Sequence, residues 1–328
     1  MDARFDLVGI GNAIVDVVAP ADHAFLSKHD MRPGAMQLID ADTAERLYGV
    51  MPPGLETSGG SAANTCAVAA GLGARVAFLG KVATDGLGDA FRRDIAAAGV
   101  HFPTAPAADG LPTARCLILV TPDGQRTMNT FLGASTGFTP GDVDEAAVGD
   151  SLVTYLEGYL YDPPSAQQAF LAAAAAAHGA GRQVALSLSD AFCVNRHRDA
   201  FRALVRDEVD ILFANEAEIC ALYEENTFEA AAERARAEVK LAALTRGEAG
   251  SLVLRGAERV EVPAAPATVV DTTGAGDAYA AGFLAAYVRG QGLQTCGMLG
   301  SRAAAAVIGQ YGGRPAVDLR SMTAEAGL

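Results

Sequence analysis

Residues Ala267–Tyr287 read ATVVDTTGAGDAYAAGFLAAY. A β-like run ends at Asp271, small flexible residues fill Thr272–Gly276, and a helix is expected to begin near Asp277. Tyr279, Phe283 and Tyr287 recur at i, i+4 and i+8, one stripe of that helix facing a core. A strand, a Gly-rich turn and a helix start together make an anion site. Several N–H groups there lack intrahelical partners, and the helix dipole adds positive potential. Gly274 and Gly276, with Ala275 between them, let a phosphoryl group come close to the backbone. Asp277 beside such an anion hole is placed to take the proton of a hydroxyl as its oxygen attacks phosphorus, and phosphoryl transfer asks little more of a protein than that base, positioning and charge neutralisation. From this motif alone, an ordinary helix start with an Asp complementing the dipole reads equally well. The Walker A pattern G-x-x-x-x-G-K-[ST] is absent.

A second Gly-rich stretch, Ser58–Asp89, reads SGGSAANTCAVAAGLGARVAFLGKVATDGLGD. Gly59 and Gly60 predict a loop with exposed amides, Ser61 a cap for a small-residue helix ending around Gly71–Gly73, and Asn64 a side chain in its first turn. Amides and an Asn side chain suit sugar hydroxyls, which both donate and accept; a plain capped helix is the competing reading. Upstream, VGIGNAIVDVV places Asn12 and Asp16 on one face of extended backbone just beyond the first strand. A carboxylate there can accept from two neighbouring ribose hydroxyls, or simply sit in a solvated turn. The segment has G-x-G but lacks G-x-G-x-x-G, so the dinucleotide fingerprint is not met.

The rest of the 328-residue chain alternates strand-length apolar runs with Ala-rich helical segments. Phe5–Ile10, Val76–Leu79, Leu152–Leu156, Val184–Leu188, Ile211–Phe213, Leu241–Leu244 and Ser251–Leu254 are the runs. Ser61–Ala70, Gly88–Ala98, Ser165–His178, Asp199–Arg206 and Phe228–Val239 are helical. Such alternation predicts an α/β fold with a largely parallel sheet covered on both faces. Two regions break the rhythm: Ile14–Ile39, without a long helix, and Thr113–Phe131, which reads as a hairpin around a TPDG turn. They predict a small β lid of residues 14–40 and 113–132, set on a main domain of residues 1–13, 41–112 and 133–328.

The net charge of −14 argues against nucleic acid or an anionic membrane surface as partner. ATP remains compatible, because it is held locally by amides, a few cations and a metal ion. Five scattered cysteines without C-x-x-C predict reduced thiols. MDARFDLVGIGN lacks the basic flank and long apolar core of a signal peptide, so a cytoplasmic location is expected.

The two Gly-rich segments together resemble the two signatures of the ribokinase-like (PfkB) carbohydrate and nucleoside kinases. ANEAEI (214–219) is similar to the family's N-x-x-E element, and LTRGEAG (244–250) to the strand and turn beside its nucleotide. The resemblance runs in order over nearly the whole chain. It implies Asp277 as catalytic base and Gly274, Ala275 and Gly276 as the anion hole. It implies that Asn12, Asp16, Gly59, Gly60 and Asn64 hold the sugar, and that Thr245 and Gly247 lie along ATP. Asn215 and Glu218 would order Mg2+ and the phosphates through water, Arg126 would approach the transferred phosphate, and Asp271 and Thr273 match the family's monovalent-cation pattern, K+ being the candidate. GNAIVD, MRPGAMQLID, MNTFLGAS and YLEGYLYDPP are similar to the bacterial adenosine kinase type. That implies adenosine as acceptor, with Leu38, Leu132, Ala134 and Tyr159 lining a purine pocket. A free sugar such as ribose or fructose is the alternative acceptor, a catalytically silent binding protein a second alternative, and a monomer or a homodimer is expected.

Overall fold

The computed structural model describes residues 3–315 and 317–325. Its strands are β1 (Phe5–Ile10), β2 (Ile14–Pro20), β3 (Met36–Leu38), β4 (Leu55–Gly59), β5 (Val76–Leu79), β6 (Val100–His101) and β7 (Ala114–Val120). They continue with β8 (Arg126–Phe131), β9 (Ser151–Glu157), β10 (Gln183–Ser187), β11 (Ile211–Asn215), β12 (Leu241–Thr245), β13 (Ser251–Arg255) and β14 (Glu258–Val262).

Nine of them form one sheet in the order β14-β13-β12-β11-β10-β9-β1-β5-β6. Every pairing from β6 to β12 is parallel, and β13 and β14 close the far edge antiparallel. The apolar runs are continuous because both faces are covered. Leu7, Val76, Phe78, Ile211 and Leu241 enter one core, while Val8, Ala77, Leu79, Leu212 and Ala242, one residue further along, enter the other. The chain leaves β1 toward β5 on one side and returns to β9 on the other. A crevice therefore opens beyond the carboxyl ends of β1 and β9, where open α/β sheets bind ligands.

The second sheet has the order β3-β8-β7-β2-β4. Residues 113–131 form the expected hairpin, β7 and β8 pairing antiparallel from Arg115↔Phe131 to Val120↔Arg126. This sheet extends past residues 14–40 and 113–132, because Leu55–Gly59 pairs with β2 as its edge strand. LETSG carries no apolar run; a half-exposed edge strand needs none.

Three local expectations are corrected. The run before Asp271 is not a strand: residues 263–269 pair with no neighbour, and Val269 is 62% exposed. Pro263 and Pro266 remove ladder donors, and the segment is fastened instead by Val270 N–H and Asp271 N–H donating to the Ile308 carbonyl. Ser61 is not the cap of its helix; Gly60 occupies that position, and Ser61 begins the helix proper. The helix expected over Asp199–Arg206 starts earlier, at Ala191, where the Asp190 carboxylate accepts from Cys193 N–H, and it bends at His197. Among the described residues no helix is long and apolar enough to cross a membrane.

Candidate active site

The anion-hole turn is built by a left-handed glycine. Gly274 has φ +76° and precedes the helix Ala275–Tyr287. A Cβ at Gly274 would lie 2.7 Å from Gly313 Cα, so the position is restricted both by conformation and by space. The first intrahelical bond runs from Ala278 N–H to the Gly274 carbonyl, and Ala275 N–H turns back to Thr272. The amides of Gly276 and Asp277 are left without an intrahelical acceptor. Above Gly276 there is open space, since a Cβ there would meet nothing within 4 Å. The helix is held by its aromatic stripe, with Phe283 stacked between Tyr279 and Tyr287. Tyr279 also donates its hydroxyl to Ser251 Oγ at 2.7 Å, fixing the helix to β13.

Asp277 is half-buried at the mouth of this turn. Its Oδ1 accepts from Ser61 Oγ at 2.6 Å, and the Asn64 amide lies beside the same carboxylate. Burial pushes its pKa up to about 6; the bond from Ser61, the Asn64 amide and the charge of Arg314 work in the opposite sense, and Asp16 adds to the rise. A carboxylate that is surrounded by protein yet reachable by solvent, with a pKa a unit or so below neutrality, suits a general base.

The side where the motifs lead one to expect the acceptor is assembled around Glu157, which lies within YLEGYLYDPP but is given no role by that motif. At the end of β9 and 1% exposed, it accepts from Asn12 N–H at 3.1 Å, Asn12 Nδ2 at 2.7 Å and Ala62 N–H at 2.7 Å. Burial pushes its pKa up to about 7, against these three donors, which favour the ionised form. Asn12 is therefore buried against Glu157, and the two fasten the turn after β1 to the start of the helix Ser61–Gly71. Gly60 bridges them: its φ is +98°, and a Cβ would lie 2.1 Å from the Asn12 carbonyl oxygen. Asp16 stands beside Gly59 on the second sheet; burial pushes it up to about 6, and Arg314 and Arg126 pull it back. Asp16, Gly59, Gly60, Asn64 and Asp277 are thus brought together, as the motifs predict.

Arg126 is ion-paired with Asp271, with both side chains largely buried, and its Nε has no hydrogen-bond partner among the described residues. Asp271 Oδ1 accepts from Thr273 N–H and Oγ1, and Oδ2 from Gly312 N–H and Arg126. Burial alone would raise Asp271; the bonds from Gly312 and Thr273 and the charge of Arg126 bring it below the usual carboxylate range. With both oxygens so occupied, Asp271 and Thr273 brace a loop and offer K+ no free carboxylate.

On the nucleotide side, Asn215 and Thr245 face each other in register at the ends of β11 and β12, and Gly247 takes φ +54° in the turn beyond. Asn215 and Glu218 form a reciprocal cap. Glu218 N–H donates to Asn215 Oδ1, and Asn215 N–H and Nδ2 donate to Glu218 Oε2 and Oε1. Burial, with Asp190 and Asp277 nearby, pushes Glu218 up to about 7. A cation close to these three acids would relieve their repulsion. Among the described residues no group of three or more His, Cys, Asp or Glu is arranged to hold a metal by protein ligands alone. Of the purine-pocket candidates, Ala134 is buried and lines a cavity of about 340 Å³ with Gly133, Lys81 and residues 107–111. Leu132 is half-buried, Tyr159 is exposed beyond β9, and Leu38 is 60% exposed on β3.

A model described as pfkB family carbohydrate kinase matches residues 52–319, a span that holds both Gly-rich turns, Glu157 and Asp277. The chain belongs to the PfkB family. As a PfkB kinase it transfers a phosphoryl group to an alcohol, with ATP as cosubstrate. Among solved structures, the adenosine kinase of Sinorhizobium meliloti is 53% identical, covering 99% of this chain and 100% of that one with a TM-score of 0.90. A probable sugar kinase protein of Rhizobium etli is 49% identical, covering 99% of each chain with a TM-score of 0.91. The adenosine kinase of Saccharomyces cerevisiae is 29% identical over 330 residues, 93% of this chain and 95% of its own.

Proposed function

We propose that this PfkB kinase phosphorylates the 5′-hydroxyl of adenosine, giving AMP and ADP. The observation that carries the reading is the position of Asp277, a base at the start of the anion-hole helix, hydrogen-bonded to Ser61 at the entrance of the acceptor helix. The 53% identity over nearly all of both chains to a bacterial adenosine kinase supports the nucleoside over a free sugar.

In this reading Asp16 accepts from the ribose hydroxyls while Asn64 and the amides around Gly60 complete the sugar's hydrogen bonds. The acceptor's reacting hydroxyl lies against Asp277, which takes its proton as the oxygen attacks the γ-phosphorus in line with the leaving ADP. The amides of Gly276 and Asp277 receive the charge on the migrating group. Thr245 and Gly247 run along the nucleotide. Mg2+ fits near Glu218 through water and phosphate, where it would neutralise phosphate charge. K+ finds no open place at Asp271.

A coupled ADP-release assay over adenosine, inosine, guanosine, ribose and fructose tests the assignment. Turnover of adenosine with kcat/KM at least tenfold above the others is expected. Turnover confined to the free sugars would replace this reading with a sugar kinase.

A further inference from the structure

Arg314 has no counterpart among the motifs, yet its guanidinium reaches three elements at once. Its Nε donates to Asn64 Oδ1 at 2.9 Å, and its Nη1 donates to Ser58 Oγ at 2.9 Å and lies 3.3 Å from Asp94 Oδ2. Ser58 is on β4 of the second sheet, Asn64 on the helix Ser61–Gly71, and Asp94 on the helix Gly86–Ala97. The remaining Nη2 is buried with no hydrogen-bond partner among the described residues.

The amide of Asn64 is fixed from both ends by chemistry. Arginine only donates, so the atom facing Nε is the oxygen. The nitrogen is thereby turned away from Arg314, on the side of the Asp277 carboxylate, which in its ionised form only accepts. Gly313 closes in behind, since a Cβ there would lie 2.6 Å from Asn64 Nδ2. The next residue back, Gly312, donates its N–H to Asp271 in the anion-hole loop. The segment 312–314 thus joins the anion hole to the acceptor helix.

We propose that Arg314 is a positioning residue for phosphoryl transfer, holding the amide of Asn64 so that its nitrogen faces Asp277 while its oxygen stays committed. The proposal rests on Asp277 being the base. Arg314 acts through Asn64 and does not touch the reacting atoms.

The charges around Asp277 sharpen the consequence. Asp16 faces it from β2, Glu157 from β9 and Glu218 from the helix after β11, while Tyr155 and Tyr159, also nearby, are kept neutral by burial. Ionised, the three acids disfavour the carboxylate. The positive charge of Arg314 opposes them. Its removal makes the base harder to ionise.

The experiment compares wild type, R314M, R314K, N64A and N64A/R314M by steady-state kinetics from pH 5 to 9, with thermal unfolding of each. For R314M, the acceptor KM is expected to rise about tenfold, the scale of one charge-assisted hydrogen-bond network, with the KM for ATP unchanged. The acid limb of kcat should move up by roughly half to one pH unit, the direction expected on losing a nearby positive charge. R314K should restore the limb, which needs charge, but not the acceptor KM, which needs the fork. N64A and N64A/R314M should share one acceptor KM, since Arg314 acts through Asn64. An R314M enzyme with wild-type KM and acid limb, differing only in melting temperature, would reduce Arg314 to a structural tie and overturn the proposal. Additive effects of N64A and R314M would do the same. Should R314M not fold, R314K decides: an unchanged acceptor KM refutes positioning. The wild-type acceptor panel comes first; if wild type turns over a sugar instead of adenosine, the substrate reading fails and the variants are compared on that sugar.

Discussion

Ser61 Oγ donates to Asp277 Oδ1 at 2.6 Å, joining the first residue of the acceptor helix to the first turn of the anion-hole helix across 216 positions of sequence. Two Gly-rich motifs that are unrelated along the chain share one hydrogen bond, which fixes the direction of the carboxylate. In the proposed reaction, such aiming ahead of the acceptor lowers the cost of reaching a productive geometry.

If Asp277 is the base, D277N should keep ATP affinity and lose turnover by roughly two to four decades, the usual scale for a positioned general base. Calorimetric titration of ATP together with single-turnover kinetics separates the two effects. Wild-type turnover in D277N would remove Asp277 from the mechanism.

The pH dependence follows from the same group. A base works ionised, so activity should fall as pH drops through about 6 and level off above it. S61A removes a donor that favours the ionised form, and should shift that limb to higher pH. A limb that stays in place in S61A would mean that the hydroxyl does not set the ionisation of the base.

Glu157 accepts three N–H donors from two different segments. In E157Q an amide group must face at least one of those donors. The expected cost is about 2 kcal/mol of stability, the range for a buried polar group left badly paired. The acceptor KM should rise together with it, because the turn at Gly60 loosens. Chemical denaturation and initial-rate kinetics measure both; an unaltered KM would separate Glu157 from the acceptor loop.

Gly274 combines positive φ with contact against Gly313. G274A should lower kcat by at least tenfold and destabilise the protein by about 1–3 kcal/mol, the cost of a non-glycine residue in a strained backbone region. Denaturation midpoints and kcat on the same preparation test this.

Seven of the nine strands of the large sheet, most of the helices that cover them, and both Gly-rich turns are legible because each is written locally; the two-residue β6 and the polar β14, at the two edges, are not. An apolar run of strand length, a glycine where the backbone needs one, and an Asp at a helix start are all short-range signals. Arg314 and Glu157 were not legible. Each is a single charged residue whose partners lie elsewhere in the chain: Arg314 Nε meets Asn64 250 positions away, and Glu157 meets Asn12 145 positions away. Only the fold makes these pairs. The apparent strand before Asp271 misled because TVV has the composition of a buried run, while the prolines at 263 and 266 decide the pairing. Strand β4 was missed for the opposite reason, since LETSG looks like loop yet is paired along one side by β2. The resemblance places Arg126 at the phosphate and Asp271 at a cation, whereas in the structure the two are each other's partners.

The ties between the second sheet and the body have a mechanical meaning. Arg126 on β8 is moored to Asp271, and Ser58 on β4, at the opposite edge, is moored to Asp94 and Arg314. Between the two moorings, Val15 and Val17 on β2 and Leu117 and Leu119 on β7 enter the core shared with the main sheet, so sliding in the plane of the sheet would sever both ties and shear that packing. Strand β3, with Met36 and Leu38 turned to solvent, hangs beyond the Arg126 mooring. It is the strand furthest from the tie at Ser58 and the one with neither side chain packed beneath it.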